Sequence, residues 1–247
     1  MILTTFMLVV MLYEFYRMVF GGKYYLQQSL GLAISLLLLL CVVNALLNGK
    51  DGGMHYFFLL LLPLILLFIT QLYQKEQTPF VVIGLVCLGI LYIALPVVLM
   101  YLFVFDNSGS YDGTILLSLF IMLWCNDVGA YAFGLLFGRH GKHKLFPSIS
   151  PKKSWEGLIG GIVSTMLAAL LIERYMFPVG TVHILAIAFI IAVFGCWGDL
   201  VESMLKRSYN VKDSGKIMPG HGGLLDRFDA SLIAFPAVLV YMKLVIL

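Results

Sequence analysis

Residues 79–105 read PFVVIGLVCLGILYIALPVVLMYLFVF and contain no charged side chain. An α-helix needs roughly 20 apolar residues to cross the hydrocarbon core of a bilayer, so this stretch is long enough to span a membrane. Its extra length, together with Pro96, predicts a span that is tilted or is bent near the proline. The apolar residues run continuously instead of alternating, which argues against a strand of a membrane β-barrel.

Similar runs occur along the whole chain, which has 247 residues, is 61% hydrophobic and has a mean hydropathy of +0.99. A water-soluble domain does not need so much apolar surface. The sequence therefore predicts an all-α fold, a polytopic integral membrane bundle of about eight transmembrane helices. We divide it into two regions, residues 1–110 and 111–247, and find no internal repeat. The other predicted spans are 2–20, 29–47, 54–73, 114–137, 157–177, 181–202 and 224–246.

Lysine and arginine are concentrated in two connections, residues 138–156 and 203–223. One pair of predicted spans separates the two connections, so both lie on the same side of the membrane. The positive-inside rule predicts that this side is the cytoplasm. Counting the spans back places the first residue outside the cytoplasm, and one additional N-terminal helix would remove that difficulty.

Carboxylates lie within or at the ends of three predicted spans. Asp127 lies in the fifth span, Asp199 lies near the end of the seventh, and Asp226 and Asp229 lie at the start of the eighth. Convergent carboxylates repel one another unless a cation neutralises them, and all-oxygen ligation suits Mg²⁺. The alternative is that the acids pair with nearby basic side chains, which lowers the cost of burying charge. Those basic side chains are Lys206, Arg207 and Arg227.

Two polar stretches are candidates for binding an anion. The turn PGHGG at 219–223 is rich in glycine, which lets a backbone approach a ligand closely, and amides that lead into a helix can hold phosphate. His221 in this turn is either a donor or acid–base group for a phosphate, or a structural histidine. The stretch SISPKKS at 148–154 is either an anchor for lipid headgroups or the second half of an anionic substrate site.

Several short motifs carry a resemblance to the phosphatidate cytidylyltransferase family, also called the CDP-diacylglycerol synthases. Residues 203–229 contain S-x-x-K-R, K-D, P-G-H-G-G and D-R-x-D, in the order of the family signature. NDVGAYAFG at 126–134, GRHGKHKLFPSISPKKSWEG at 138–157 and GDLVES at 198–203 also resemble the family. The resemblance covers about residues 115–245. Before residue 111, only the YEF at 13–15 resembles a family element, the second helix, and family members usually have one more helix before it.

The resemblance implies a nucleotidyltransferase that transfers a cytidylyl group from CTP to phosphatidic acid, giving CDP-diacylglycerol and pyrophosphate in phospholipid biosynthesis. It implies Mg²⁺ as the cofactor, with a monovalent cation as a candidate second ion, and no nucleic-acid partner. It also implies a homodimer in the inner (cytoplasmic) membrane, with the active site facing the cytoplasm. The alternatives are another CTP-dependent lipid enzyme, such as a polyprenol kinase or an ether-lipid cytidylyltransferase, and an ion-coupled transporter.

The resemblance also assigns roles to residues of the region 111–247, which is the expected catalytic region. The expected metal ligands are Asp199 and Asp226, with Asp127 as a further candidate. The expected catalytic residues are Asp199, Asp226, Lys206, Asp213, Asp229 and His221. The expected substrate-binding residues are Ser150, Lys152, Lys153, Ser154, Arg207, Lys212, Gly222, Gly223 and Arg227.

Overall fold

A computed structural model describes residues 1–74, 78–105, 110–138, 143–215, 217, 220 and 222–246, and for Lys50 and Asp51 it describes the backbone alone. Within these residues, eight helices are long and apolar enough to cross a membrane. The prediction of an all-α, polytopic membrane bundle is therefore confirmed. Seven of the spans are α1 (Ile2–Phe20), α2 (Tyr25–Asn48), α3 (Lys50–Leu72), α6 (Thr114–Leu136), α7 (Trp155–Tyr175), α8 (Thr181–Ser208) and α9 (Leu225–Tyr241, continued by a π-helical turn, Met242–Ile246).

The fourth span is not one regular helix. Proline lacks the N–H that a helix interior uses, and its ring conflicts with the carbonyl group one turn earlier. A π-helical turn precedes Pro96, and the N–H of Leu95 donates to the carbonyl oxygen of Ile90. The regular α-helix is thus interrupted beside Pro96, where the sequence predicts a bend. The span consists of α4 (Pro79–Gly89), the π-helical turn (Ile90–Ala94), α5 (Leu95–Leu99) and a 3₁₀ turn (Met100–Phe103).

The chain divides into two compact units. The first unit contains Met1–Tyr101, Phe105–Tyr111 and Asp213–Asp226, and the second contains Leu102–Val104, Asp112–Lys212 and Arg227–Leu247. One boundary between the units lies between Tyr111 and Asp112. The segment Asp213–Asp226, however, groups with the N-terminal helices instead of with the rest of the region 111–247.

In the first unit, α1 is fixed by a buried tyrosine. Tyr16 is 2% exposed, and its hydroxyl donates to the carbonyl oxygen of Val86 in α4 at 3.0 Å. A Cβ at Gly89 would lie 2.7 Å from the Tyr16 ring, and a Cβ at Gly31 of α2 would strike the Tyr16 hydroxyl. Glycine at both positions thus lets α2 and α4 close around this ring, and the contact sets the rotation of α1 about its own axis.

In the second unit, small residues let the helices approach closely, which is a common way for helices to pack in membranes. Cβ atoms at Gly129 and Gly160 would strike Ser164 and Phe133 respectively, across the α6–α7 contact. A Cβ at Gly198 of α8 would lie 2.7 Å from the carbonyl oxygen of Asp229 in α9. The polar ends of α6, α7, α8 and α9 are therefore held together by backbone proximity.

The connection between α6 and α7 contains a β-hairpin that the sequence does not predict. Strand β1 (Lys144–Phe146) pairs antiparallel with β2 (Ser150–Ser154), with Lys144 opposite Ser154. Proline and lysine are unfavourable in strands, which is why β2 resembles a loop in sequence. Because β2 leads directly into α7, the hairpin gives Lys152 and Lys153 a fixed position on the second unit.

Candidate active site

A cavity of about 330 Å³ lies in the second unit, between α6, β2, the start of α7 and the end of α8. Its volume lies at the lower end of the range typical of small-molecule sites. Equal numbers of acidic and basic side chains line it. Five residues predicted for the site, from three separate stretches of sequence, contribute to the lining: Asp127, Lys152, Lys153, Ser154 and Asp199.

The central contact of this cavity is an ion pair between β2 and α8. The ammonium group of Lys153 lies 2.7 Å from Oδ2 of Asp199, and it also donates to the carbonyl oxygen of Cys196 at 3.0 Å. The second oxygen of Asp199 accepts from the hydroxyl of Ser203 at 3.2 Å. The Lys153 side chain is 22% exposed and that of Asp199 is 43% exposed, so the pair lies at the cavity wall and not in a closed core. The partner of Asp199 is therefore Lys153, whereas the sequence suggested Lys206, Arg207 or Arg227.

Two neighbouring residues of α6 add oxygen atoms to the same wall. Asp127 lines the cavity and lies near enough to Asp199 and Lys153 to interact electrostatically with both. Asn126 is 4% exposed, and its Oδ1 has no hydrogen-bond partner among the described residues. A Cβ at Gly161 of α7 would strike this oxygen, so glycine is needed there to accommodate the amide. Asn126 was not assigned a role from the sequence, although a polar amide inside an apolar span is a signal for one.

Ser154 has a structural role in addition to lining the cavity. It is the N-cap of α7, where its Oγ accepts from the N–H of Gly157 at 3.2 Å and so satisfies an N–H without a partner in the helix. Ser150 begins β2 and lies outside the cavity lining.

A second polar cluster lies in the first unit, around the start of α9. The carboxylate of Asp226 accepts from the N–H of Gly223 at 2.8 Å, from the N–H of Ser214 at 3.0 Å and from the Ser214 hydroxyl at 3.0 Å. Glu14 of α1 accepts from the amides of Leu224 and Leu225, at 3.1 and 2.9 Å. Two carboxylates of the protein thus occupy the N–H groups at this helix start.

This arrangement changes the interpretation of the glycine turn. The sequence suggested that the amides of Gly222 and Gly223 hold phosphate, but the Gly223 amide donates to Asp226. Gly222 has a φ of +82°, a backbone conformation that favours glycine, and a Cβ there would lie 2.9 Å from Oδ2 of Asp226. Gly222 therefore lets the turn approach the Asp226 carboxylate closely.

Polar side chains near the end of α8 make a series of contacts one turn apart. Lys206 donates to Oε2 of Glu202 at 2.6 Å, in the same i, i+4 relation as Ser203 with Asp199. Glu202 is fully buried, so Lys206 neutralises a charge that would otherwise be costly. Asp229 of α9 lies near enough to Asp199, Glu202 and Lys206 to interact with them.

Four further predicted residues lie outside the lining of the cavity. Among the described residues, four are exposed side chains near the end of α8 or the start of α9: Arg207, Lys212, Asp213 and Arg227. His221, a predicted catalytic residue, lies outside the described residues, as does the nearby Lys216.

The metal expectation is neither met nor refuted. Within the described residues, no group of three or more His, Cys, Asp or Glu side chains is placed to hold a metal ion. Of the two residues favoured as ligands, Asp199 belongs to the second unit and Asp226 to the first. The pairing of Asp199 with Asp226 stays a prediction.

Comparison with known proteins identifies the group to which this chain belongs. A family model described as the cytidylyltransferase family matches residues 1–245. The chain belongs to the cytidylyltransferase family. The match includes the N-terminal helices, where only one short motif resembles the family. It therefore covers both units.

Individual relatives agree with that assignment. The chain is 41% identical over 174 residues to a phosphatidate cytidylyltransferase of Bacillus subtilis (strain 168), covering 70% of this chain and 62% of that protein. It is 39% identical over 176 residues to one of Staphylococcus saprophyticus, covering 71% and 64%. It is 46% identical over 118 residues to one of Staphylococcus aureus (strain COL), covering 47% and 44%. The matched part is thus less than two thirds of each relative's length.

Proposed function

We propose that this protein transfers a cytidylyl group from CTP to phosphatidic acid, forming CDP-diacylglycerol and pyrophosphate. The family assignment and the names of its relatives support a cytidylyltransferase for this lipid substrate. The main structural support is the cavity, which lies among the ends of membrane-spanning helices. Two acidic and two basic side chains line it: Asp127, Asp199, Lys152 and Lys153. Such a position allows a lipid phosphate to react without its acyl chains leaving the bilayer.

The reaction needs positioning and neutralisation of charge more than it needs a base. An oxygen of the lipid phosphate is already anionic, and it attacks the α-phosphorus of CTP. The bond from that phosphorus to the bridging oxygen of the β-phosphate breaks, and pyrophosphate leaves with the electron pair. Lys152 and Lys153 are the cations of the cavity, and they bind and orient the phosphates. In this proposal the ammonium group of Lys153 turns from Asp199 toward a phosphate oxygen when substrate enters.

The donor atoms of the cavity fit a magnesium ion. The carboxylates of Asp127 and Asp199 and the buried amide oxygen of Asn126, which lacks a partner among the described residues, form an all-oxygen set. Mg²⁺ takes one or two carboxylates together with waters and substrate phosphates. When bound, the ion neutralises charge on the triphosphate and on the departing pyrophosphate. Asp226, the other ligand predicted from the sequence, is held by amides and a hydroxyl of the first unit, and its contribution to binding the ion stays a prediction.

The membrane orientation and the assembly belong to the same proposal. The two lysine- and arginine-rich connections face the cytoplasm of a bacterial inner membrane, because basic loops are retained on that side. CTP is a soluble cytoplasmic molecule, so the cavity then opens to the compartment that supplies it. The resemblance to the family further suggests a homodimer.

The proposal is tested with CTP labelled at a chosen phosphate. Purified protein in detergent, supplied with phosphatidic acid and Mg²⁺, is expected to move label from the α-phosphate into the lipid and none from the γ-phosphate. Transfer of the γ-phosphate label would indicate a lipid kinase. No label in the lipid from either position, with ion flux in liposomes, would indicate a transporter.

A further inference from the structure

Glu14 is a charged side chain in the middle of α1, and it is buried, with 2% of its surface exposed. A carboxylate inside a membrane helix is costly unless donors surround it, and such residues usually have a function. The sequence assigned no role to Glu14, and the cavity in the second unit does not use it. Its partners identify what it does.

The Glu14 carboxylate binds the start of α9 in the first unit. Its Oε1 accepts from the N–H of Leu224 at 3.1 Å, and its Oε2 accepts from the N–H of Leu225 at 2.9 Å. The first N–H groups of a helix have no partner within that helix, and the helix dipole favours a negative charge beside them. Glu14 thus caps α9 from more than 200 residues away in sequence.

Two glycines in the connection between α8 and α9 leave room for this contact. A Cβ at Gly223 would lie 2.7 Å from Oε2 of Glu14, and a Cβ at Gly215 would lie 2.6 Å from its Cδ. A Cβ at either position would displace the Glu14 carboxylate or the backbone of the loop, and would so disturb this contact. The loop and α1 are therefore built to fit one another around this carboxylate.

The same contact fixes Asp226. Leu225, whose amide binds Glu14, directly precedes Asp226 in the first turn of α9. Ser214 joins the two acids from the other side, since its hydroxyl lies 3.0 Å from Oδ2 of Asp226 and 3.5 Å from Oε2 of Glu14. Movement of Glu14 would therefore release both the backbone that carries Asp226 and the serine that contacts it.

We propose that Glu14 is a positioning residue, which holds the start of α9 so that the Asp226 carboxylate keeps one orientation during catalysis. This rests on the proposed cytidylyl transfer, in which Asp226 is a predicted metal ligand. The N-terminal helices then contribute directly to the position of the start of α9, although the sequence places every site residue in the region 111–247.

The test compares Glu14→Gln with Glu14→Asp and with a matched control, Arg17→Gln. Glutamine keeps the size of the side chain but replaces one acceptor oxygen by a donor, so one amide at the start of α9 loses its partner. Aspartate keeps the charge on a shorter stem. Arg17 is an exposed residue of the same helix whose guanidinium contacts Tyr13 one turn away, so Arg17→Gln removes a charge without touching α9.

Two readouts are measured for each variant. The first is hydrogen–deuterium exchange of the peptide containing residues 222–230, without metal or nucleotide, which reports the cap directly. The second is kcat for cytidylyl transfer together with the Mg²⁺ concentration for half-maximal rate. For Glu14→Gln we expect faster exchange, a kcat lowered by at least about tenfold, as for loss of a charge-assisted hydrogen bond, and a higher Mg²⁺ requirement. Glu14→Asp should change the exchange rate, kcat and the Mg²⁺ requirement less than Glu14→Gln does. Arg17→Gln should match the wild type in all three.

Faster exchange in Glu14→Gln with unchanged kcat and Mg²⁺ requirement would overturn the proposal, since Glu14 would then only stabilise the fold. Unchanged exchange would overturn it as well. If Glu14→Gln does not fold, Ser214→Ala tests the same network, because it removes the hydroxyl and keeps the backbone amide, and unchanged kcat and Mg²⁺ requirement there would contradict the proposal. A wild-type protein without cytidylyl transfer would instead refute the proposed function, and the exchange data would still report the cap.

Discussion

Lys152 and Lys153 are neighbours that line the same cavity. Of the two side chains, only that of Lys153 has an ion-pair or hydrogen-bond partner among the described residues. Lys153→Met removes the ion pair with Asp199 at 2.7 Å and the hydrogen bond to the Cys196 carbonyl oxygen at 3.0 Å. Lys152→Met removes the same charge from an exposed side chain. The two substitutions therefore separate the role of Lys153 in stability from the role of positive charge in substrate binding.

The expected change in the free energy of unfolding follows from the exposure of the Lys153–Asp199 ion pair. Because 43% of the Asp199 side chain is exposed, the ion pair contributes in the range of exposed pairs, about 0.2–1 kcal/mol. The hydrogen bond to the carbonyl oxygen adds about 0.5–1.5 kcal/mol. Lys153→Met should thus lower the free energy of unfolding by about 1–2 kcal/mol, since Asp199 keeps its Ser203 contact and can be solvated. Lys152→Met should change it by less than about 0.5 kcal/mol.

Activity should respond differently from stability. Each substitution removes one of the two cations that line the cavity, so each should lower kcat/KM for CTP by about 100-fold, or about 2.7 kcal/mol. The assays are equilibrium unfolding in detergent micelles and initial rates of CDP-diacylglycerol formation. Equal losses of stability in the two variants would refute the reasoning about the ion pair. Full activity in both would refute the role of the lysines in substrate binding.

Two further predictions concern the packing that positions the cavity and α1. Gly161→Ala should lower the free energy of unfolding by about 1–3 kcal/mol, because its Cβ would strike Oδ1 of Asn126, whereas Gly134→Ala, whose Cβ would have its nearest neighbour at 3.7 Å, should be tolerated. Thermal unfolding of the two variants checks this, and a Gly161→Ala protein as stable as Gly134→Ala would contradict it. Tyr16→Phe should lower the same free energy by about 1 kcal/mol, because it removes the hydrogen bond to the Val86 carbonyl oxygen and leaves that buried acceptor without this donor. Unfolding in denaturant measures this effect, and an unchanged midpoint would exclude a contribution from the bond.

The membrane spans and several cavity residues can be predicted from the sequence, because both signals are local. A long apolar run predicts a span wherever it occurs, and Asp127 and Asp199 are conspicuous as acids within such runs. The spacing of Ser203 and Lys206 relative to Asp199 and Glu202 predicts contacts one turn apart, and the structure confirms them.

The features that were not predicted depend on contacts between distant parts of the chain. Strand β2 contains Pro151 and two lysines, so nothing in its composition indicates a hairpin. The partner of Asp199 comes from that hairpin, and so the sequence could suggest only nearby basic residues. Glu14 is recognisable as an isolated acid in a span, but its partners lie more than 200 residues away, so its role could not be read from local sequence.

We propose that the cavity carries out cytidylyl transfer onto a lipid phosphate, and one measurement tests this directly. Label is followed from the α-phosphate of CTP into phosphatidic acid, in wild-type protein and in Asp199→Ala, with expression and folding checked for both. Lipid-bound label is expected with the wild type, and none above background with Asp199→Ala. An absence of α-phosphate transfer in the folded wild type would contradict the proposed reaction, and Asp199→Ala that transfers label at the wild-type rate would contradict the role of the cavity.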